Sequence, residues 1–152
     1  MPSCTLERQV SYSADQMFDL AIDMESYHDF MPLEFGGHII ERGLDTLKAS
    51  QAIHIGPIRL TFESSASFRR PEWLRVESTS RPFNKFLIAW TFTRMERGCS
   101  VRVQVDCTTR SPLLGALLAP WMEIFTRESI SAFERRATEI YPQVQAPRDS
   151  SE

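Results

Sequence analysis

Histidine side chains are the first candidates for chemistry in this sequence, because imidazole serves both as a metal ligand and as an acid–base group. The chain contains three, His28, His38 and His54. They are scattered, with no carboxylate or second histidine at the spacing that metal sites use. The sequence therefore predicts no metal site.

Serine and carboxylate side chains could support hydrolysis, but here they form no catalytic pattern. Ser64, Ser65 and Ser67 lie in an alternating segment that is typical of a strand, outside any nucleophile motif. Glu77 and Asp106 fall on the predicted outer faces of two strands, so they do not form an acid–base pair. The sequence therefore predicts no catalytic residue and favours non-catalytic binding over an enzyme.

Composition narrows the class of protein. The 152 residues fit one domain, and 42% hydrophobic content suffices for a core. The 17 basic and 20 acidic residues give a net charge of -3, which argues against DNA as a partner. Cys4, Cys99 and Cys107 are odd in number and form no CxxC, so neither a disulfide framework nor a zinc site is expected.

No apolar run is long enough to span a bilayer, and the N-terminal segment lacks the pattern of a signal peptide. We therefore expect a cytoplasmic protein.

The N-terminal quarter predicts one strand and two short helices. A strand is expected near residues 5–10, and Ser13 with Gln16 forms a capping box that begins a helix. Ser26 can cap a second short turn, which carries Tyr27, Phe30 and Met31 and which Pro32 closes.

The middle of the chain alternates apolar and polar residues with a period of two over about six segments, which predicts an antiparallel sheet with one wet face. A long helix should begin at Ser111 and Pro112, and Pro120 should kink or restart it. This order predicts an α+β domain over residues 1–141, in which a curved antiparallel sheet wraps a C-terminal helix. The polar residues 142–152 are expected to form a disordered tail.

Large apolar residues on the inward registers allow two interpretations, a plain core or a ligand cavity. Gln51, Ser64 and Ser78 also fall on inward registers. A buried polar side chain without a partner is costly and often marks water or ligand, so these three residues favour a cavity with polar points.

Three segments, in order, resemble the coenzyme-Q-binding START-like family, within the wider polyketide cyclase and lipid transport group. The first is YSADQMFDLAIDMESYHDFMP, the second RPFNKFLIAWTFT, and the third AFERRA with Ile140 and Tyr141. Three departures from the family pattern are present: His28 replaces a proline, Leu33-Glu34-Phe35 replaces a common Trp-Cys or Gly-Cys after the closing proline, and Arg81 replaces a glycine. The resemblance spans nearly the whole predicted domain.

This resemblance implies the START/Bet v 1-like helix-grip fold, with a hydrophobic tunnel between the sheet and the C-terminal helix. Family members are thought to bind ubiquinone or another polyprenyl lipid, so the expected ligand is a hydrophobic small molecule or lipid and no further cofactor is implied. Such a ligand also implies transient contact with a membrane surface, with the protein peripheral at the inner membrane.

The leading hypothesis is therefore non-catalytic binding of ubiquinone or another polyprenyl lipid, in support of respiratory quinone function or lipid transport. Tyr27, Phe30 and Met31 are expected to gate the cavity and to expose apolar surface where the lipid enters. The expected lining is Phe62, Trp90, Phe92, Val103, Val105, Met122, Phe125 and Phe133.

Two alternatives stay open. Some bacterial relatives bind the large ribosomal subunit, and an outward basic cluster on neighbouring strands could serve the same purpose here. Its members are Arg59, Arg69, Arg70, Arg75, Arg81 and Lys85. The other alternative is an oligoketide cyclase acting inside the cavity, although the sequence supplies no acid–base pair for it.

Overall fold

The computed structural model describes residues 3–32 and 35–141, so the predicted tail, residues 142–152, lies outside the described residues. The described residues form seven strands, two α-helices and one short 3₁₀ helix. In chain order these are β1 (Ser3–Val10), α1 (Ala14–Ile22), the 3₁₀ helix (Met24–Asp29), β2 (Gly36–Arg42), β3 (Thr46–Ile55), β4 (Ile58–Arg69), β5 (Trp73–Ser78), β6 (Phe83–Arg94), β7 (Cys99–Thr109) and α2 (Pro112–Ile140).

The strands form one antiparallel sheet in the order β1-β7-β6-β5-β4-β3-β2. β1 pairs with β7 at one edge, so the first strand of the chain lies beside the last. The long helix α2 packs on the inner face of the sheet, where apolar residues alternate with the polar residues of the outer face. The predicted α+β helix-grip architecture is confirmed.

Helix α1 begins where the capping box predicts. The hydroxyl of Ser13 accepts a hydrogen bond from the backbone N–H of Gln16 at 3.1 Å, and the Gln16 side chain accepts one from the N–H of Ser13 at 3.0 Å. These two bonds satisfy N–H groups that the first turn of a helix cannot pair internally.

Helix α2 also begins as predicted, since the hydroxyl of Ser111 accepts a hydrogen bond from the N–H of Leu114 at 3.2 Å. Pro120 does not restart it, because the helix runs through this residue to Ile140. Pro120 is exposed, whereas Leu118 and Trp121 on either side are buried. Packing of those neighbours offsets the loss of one backbone hydrogen bond.

A polar contact joins the edge strand β1 to helix α2. Arg8 Nη1 donates a hydrogen bond to Ser131 Oγ at 2.6 Å, and Arg8 Nη2 lies 2.5 Å from Glu134 Oε1. This contact attaches β1 to α2.

Candidate functional site in the sheet–helix interior

The structure brings the eleven residues predicted to contact a ligand into one region between the inner face of the sheet and α2. Ten of them, all except Phe30, belong to a single cluster of buried hydrophobic side chains, and Phe30 packs against it. Whether they contact a ligand stays a prediction. Their placement in one interior follows from the inward registers of β4, β6 and β7 and from one face of α2.

Aromatic rings join the sheet to the helix. The rings of Trp90 and Phe133 meet nearly perpendicularly, with centroids 4.8 Å apart. Phe35, which the sequence did not indicate as a lining residue, meets Phe125 at 5.1 Å. Edge-to-face contacts of this kind add to the free energy of simple burial, so these rings hold α2 against the sheet.

A second group of rings, here called the ring triad, consists of Phe62, Phe83 and Phe86. Phe62 lies 4.7 Å from Phe86 and 4.9 Å from Phe83, and the remaining pair is 5.1 Å apart. The triad connects to the helix through Phe86, whose ring lies 6.4 Å from that of Trp121. Phe83 and Phe86 extend the predicted lining beyond Phe62.

Polar atoms without hydrogen-bond partners among the described residues lie beside the ring triad. Gln51 is 2% exposed and Ser64 4%, which confirms their inward registers. Gln51 is the cross-strand partner of Phe62, and Ser64 lies two residues further along the same face of β4. Gln51 Oε1, Ser64 Oγ and the indole Nε1 of Trp121 are buried and find no partner in the described parts of the chain.

Not every inward polar residue is unsatisfied. Ser78 is 7% exposed, but its hydroxyl donates a hydrogen bond to the carbonyl of Glu63 and accepts one from the N–H of Ser80 at 3.1 Å. An unpaired buried polar atom costs about 1–3 kcal/mol. The interior therefore has buried polar atoms without described partners on both of its sides, at Gln51 and Ser64 on the sheet and at Trp121, Thr126 and Ser129 on α2.

The expected gate is more deeply buried than predicted. Tyr27 is 3% exposed and Met31 6%, so the prediction that these two side chains expose apolar surface is wrong. The 3₁₀ helix folds Tyr27 inward, where its ring lies 5.8 Å from both Phe35 and Phe133. The Tyr27 hydroxyl donates a hydrogen bond to the Ala21 carbonyl, and burial raises the pKa of this phenol. Phe30 is half-buried, and a role for it at an opening stays a prediction.

The predicted basic cluster on the outer face is largely paired with acids. Lys85 lies 3.0 Å from Asp106, Arg75 lies 3.2 Å from Glu77 and Arg69 lies 3.8 Å from Glu72. Arg70 pairs with Asp19. Among the described residues, only Arg59 and Arg81 of the six take part in no ion pair.

The three histidines, scattered in the sequence, line one groove of about 480 Å³ together with Arg59. Within residues 3–32 and 35–141, no group of three His, Cys, Asp or Glu side chains is arranged to hold a metal ion. Likewise, none of the helices in these ranges is long and apolar enough to cross a membrane.

A groove of about 710 Å³, here called the Arg81–Arg110 groove, lies where β6 begins and α2 starts. Arg81 and Arg110 line it with Pro82 and Leu114, and Phe83 lies at its floor. Phe83 is only 3% exposed and also belongs to the ring triad. The groove therefore reaches the wall of the interior.

A curved antiparallel sheet holding one long helix over an aromatic interior defines a helix-grip domain of the START-like class. Residues 10–134 match the family of polyketide cyclase / dehydrase and lipid transport proteins, and the chain belongs to this family. A START superfamily protein from Mycobacterium smegmatis has the same fold, with a TM-score of 0.74 and 15% identity over 91% of this chain and 98% of that one.

Two curated proteins are similar over most of the chain. The ribosome association toxin RatA of Escherichia coli (strain K12) is 25% identical over 142 residues, which cover 93% of this chain and 90% of the toxin. The mitochondrial coenzyme Q-binding protein COQ10 of Dictyostelium discoideum is 21% identical over 141 residues, which cover 90% of this chain and 69% of that protein.

Proposed function

We propose that the protein binds a quinone or a related polyprenyl lipid between its sheet and α2, without catalysing a reaction. The observation that carries this proposal is the set of buried polar atoms without described partners, among them those of Gln51, Ser64 and Trp121, inside a largely apolar interior. Ser64 and Trp121 supply hydrogen-bond donors, and the Gln51 amide supplies both donors and an acceptor. A quinone ring carries two carbonyl acceptors, so its chemistry matches these groups.

The surrounding side chains suit the rest of such a ligand. The ring triad can stack on a quinone ring, and the aliphatic side chains Val103 and Val105 with Met122 can surround a polyprenyl tail. Burial of a tail stabilises a complex by about 0.8 kcal/mol per CH₂ group. The relative that is named a coenzyme Q-binding protein supports the same ligand class for this chain.

Lipid extraction of the purified protein followed by mass spectrometry tests this proposal, together with titration of the delipidated protein with ubiquinone. Trp90 and Trp121 both lie in the interior, so quenching of tryptophan fluorescence reports on occupancy. We expect a quinone or prenyl lipid to co-purify and ubiquinone to quench both tryptophans. Failure to recover any lipid, combined with no quenching by ubiquinone, would refute the proposal.

Association with the large ribosomal subunit is the second candidate, because RatA proteins of several bacteria are similar over most of the chain. The predicted basic cluster gives it little support, since four of its six members are ion-paired. Sedimentation of a cell extract through a sucrose gradient at low salt separates the candidates. Co-migration with the large subunit supports ribosome binding, and absence from ribosomal fractions rejects it.

A further inference from the structure

Two leucines on the first turns of α2 are exposed to an unusual degree for large apolar side chains. Leu113 is 72% exposed and Leu117 39%. Because they are four residues apart, they lie on the same side of the helix. Leu114 between them lines the Arg81–Arg110 groove, so the leucines stand at its border.

The segments that border the Arg81–Arg110 groove carry mainly basic charge. Residues 107–122 contain Arg110 as their single charge, and residues 78–87 contain Arg81 and Lys85 but no acid. Lys85 is paired with Asp106, whereas Arg81 and Arg110 have no ion pair with any described residue. On the neighbouring strands Glu77 is paired with Arg75, and Glu63 is a single exposed acid beside Ser78. In a chain of net charge -3, this end is locally basic.

We propose that this end of the molecule docks on an anionic membrane surface. Leu113 and Leu117 insert at the boundary between headgroups and acyl chains, and Arg81 and Arg110 contact lipid phosphates. Exposed leucines flanked by basic side chains are the combination that binds such surfaces, because apolar insertion and attraction to anionic lipid act together.

A two-fold dimer fits the same surface less well. In an isologous interface the same patch is used on both copies, so the basic surface of one copy, with Arg81 and Arg110, would face the basic surface of the other. Repulsion between like charges disfavours that contact, whereas lipid phosphates complement both arginines. Charge complementarity therefore selects the membrane as the occupant.

Docking here also gives the proposed function a route for its ligand. The groove that would face the membrane is floored by Phe83, which packs on Phe62 inside the domain. In this respect the inference rests on the proposed function. Its test, however, measures membrane binding directly.

Co-sedimentation of the full chain with vesicles tests the proposal. One set of vesicles is phosphatidylcholine alone, and the other is an equimolar mixture with phosphatidylglycerol. We expect binding to the anionic vesicles only, and weakening at high salt. The double variant L113D/L117D should bind at least about tenfold more weakly. The double variant R81A/R110A should bind about twenty-fivefold more weakly, at roughly fivefold for each charge.

Matched control variants exist at the opposite end of the sheet. Leu44 is 97% exposed beside the start of β3, and Arg97 is exposed in the turn after β6. Leu44→Asp and Arg97→Ala should leave vesicle binding unchanged. Equal loss in these controls, equal binding to both kinds of vesicle, or no binding by the wild-type chain would overturn the proposal. So would self-association in ultracentrifugation that Leu113→Asp abolishes.

Ubiquinone titration of L113D/L117D in solution keeps the two proposals separate. Retained quenching together with lost vesicle binding is the expected result. Absence of quenching in the wild-type chain, with vesicle binding intact, rejects the quinone proposal and leaves the docking proposal standing.

Discussion

The ring of Phe83 meets the ring of Phe62 nearly edge-on, with centroids 4.9 Å apart and an interplanar angle of 74°. The same Phe83 side chain forms the floor of the Arg81–Arg110 groove. One residue therefore separates an external groove from the aromatic interior.

Phe83→Ala should open the interior to the groove. We expect a loss of about 3 kcal/mol in the free energy of unfolding, since large-to-small core substitutions leave a cavity. We also expect faster uptake of ubiquinone in stopped-flow fluorescence. Phe18→Ala is the matched control, because Phe18 is also buried but lies on α1, outside the expected lining. It should cost similar stability without faster uptake, and equal acceleration in both variants would argue against a barrier at Phe83.

Ser64→Ala should stabilise the protein by up to about 1 kcal/mol while weakening ubiquinone binding. Its hydroxyl is buried without a partner among the described residues, so its removal relieves a desolvation cost. Urea denaturation and fluorescence titration measure the two effects. Ser78→Ala is the control, because the Ser78 hydroxyl is hydrogen-bonded and its loss should destabilise. A Ser64→Ala variant that is less stable and binds ubiquinone normally would contradict a ligand role for this hydroxyl.

Arg8→Ala should loosen the attachment of β1 to α2. The expected loss is about 1 kcal/mol, because the contact with Ser131 and Glu134 is only partly shielded from solvent. A double-mutant cycle with Glu134→Gln should show a coupling energy of about 0.5 kcal/mol in thermal unfolding. Glu139→Gln serves as the control, since its contact with Arg136 is an exposed pair within one helix. Strict additivity of the Arg8 and Glu134 effects would contradict a direct interaction.

The buried thiols predict that stability falls in alkaline solution. Burial raises the pKa of Cys99 to about 11 and that of Cys107 to about 12, from an ordinary value of 9.0. Above the ordinary value of 9.0 the thiols ionise in the unfolded chain, whereas in the folded chain they stay protonated until the pH reaches their raised pKa. The folded state is therefore favoured less as pH rises, by about 1.4 kcal/mol for each pH unit and each thiol.

Urea unfolding at about pH 8 and about pH 10 measures this dependence. The variant C99A/C107A should lose less stability between the two conditions. Tyr27, whose pKa is also raised by burial, contributes the same loss in both proteins at higher pH. An equally steep loss in the variant would show that other groups dominate.

Local patterns predicted much of the fold. The capping box at Ser13 and Gln16 and the N-cap at Ser111 rest on contacts within one turn, so the sequence contains all the information they need. The period of two likewise assigned Gln51 and Ser64 to the inner face, where the structure has them. The continuation of α2 through Pro120 depends instead on packing against the sheet, which a local pattern does not report.

The candidate site was harder to predict, because it depends on contacts between distant segments. Tyr27 and Met31 were expected at an opening, yet the 3₁₀ helix folds them onto Phe35 and Phe133. The pairing of Arg70 with Asp19, which removes one member of the expected basic cluster, joins β4 to α1. The Arg81–Arg110 groove likewise needs two segments that only the folded sheet brings together.

The contact between Arg8 and Glu134 spans 126 positions of the sequence, and within the described residues β1 pairs with β7, which is made about ninety residues later. Such a topology has high contact order, so the entropy of closing a long loop must be lost before these contacts form. During synthesis on a ribosome, the inner face of the sheet emerges well before α2 can cover it. New chains therefore expose this apolar face, with the aggregation hazard that exposure carries, until their last helix has been made.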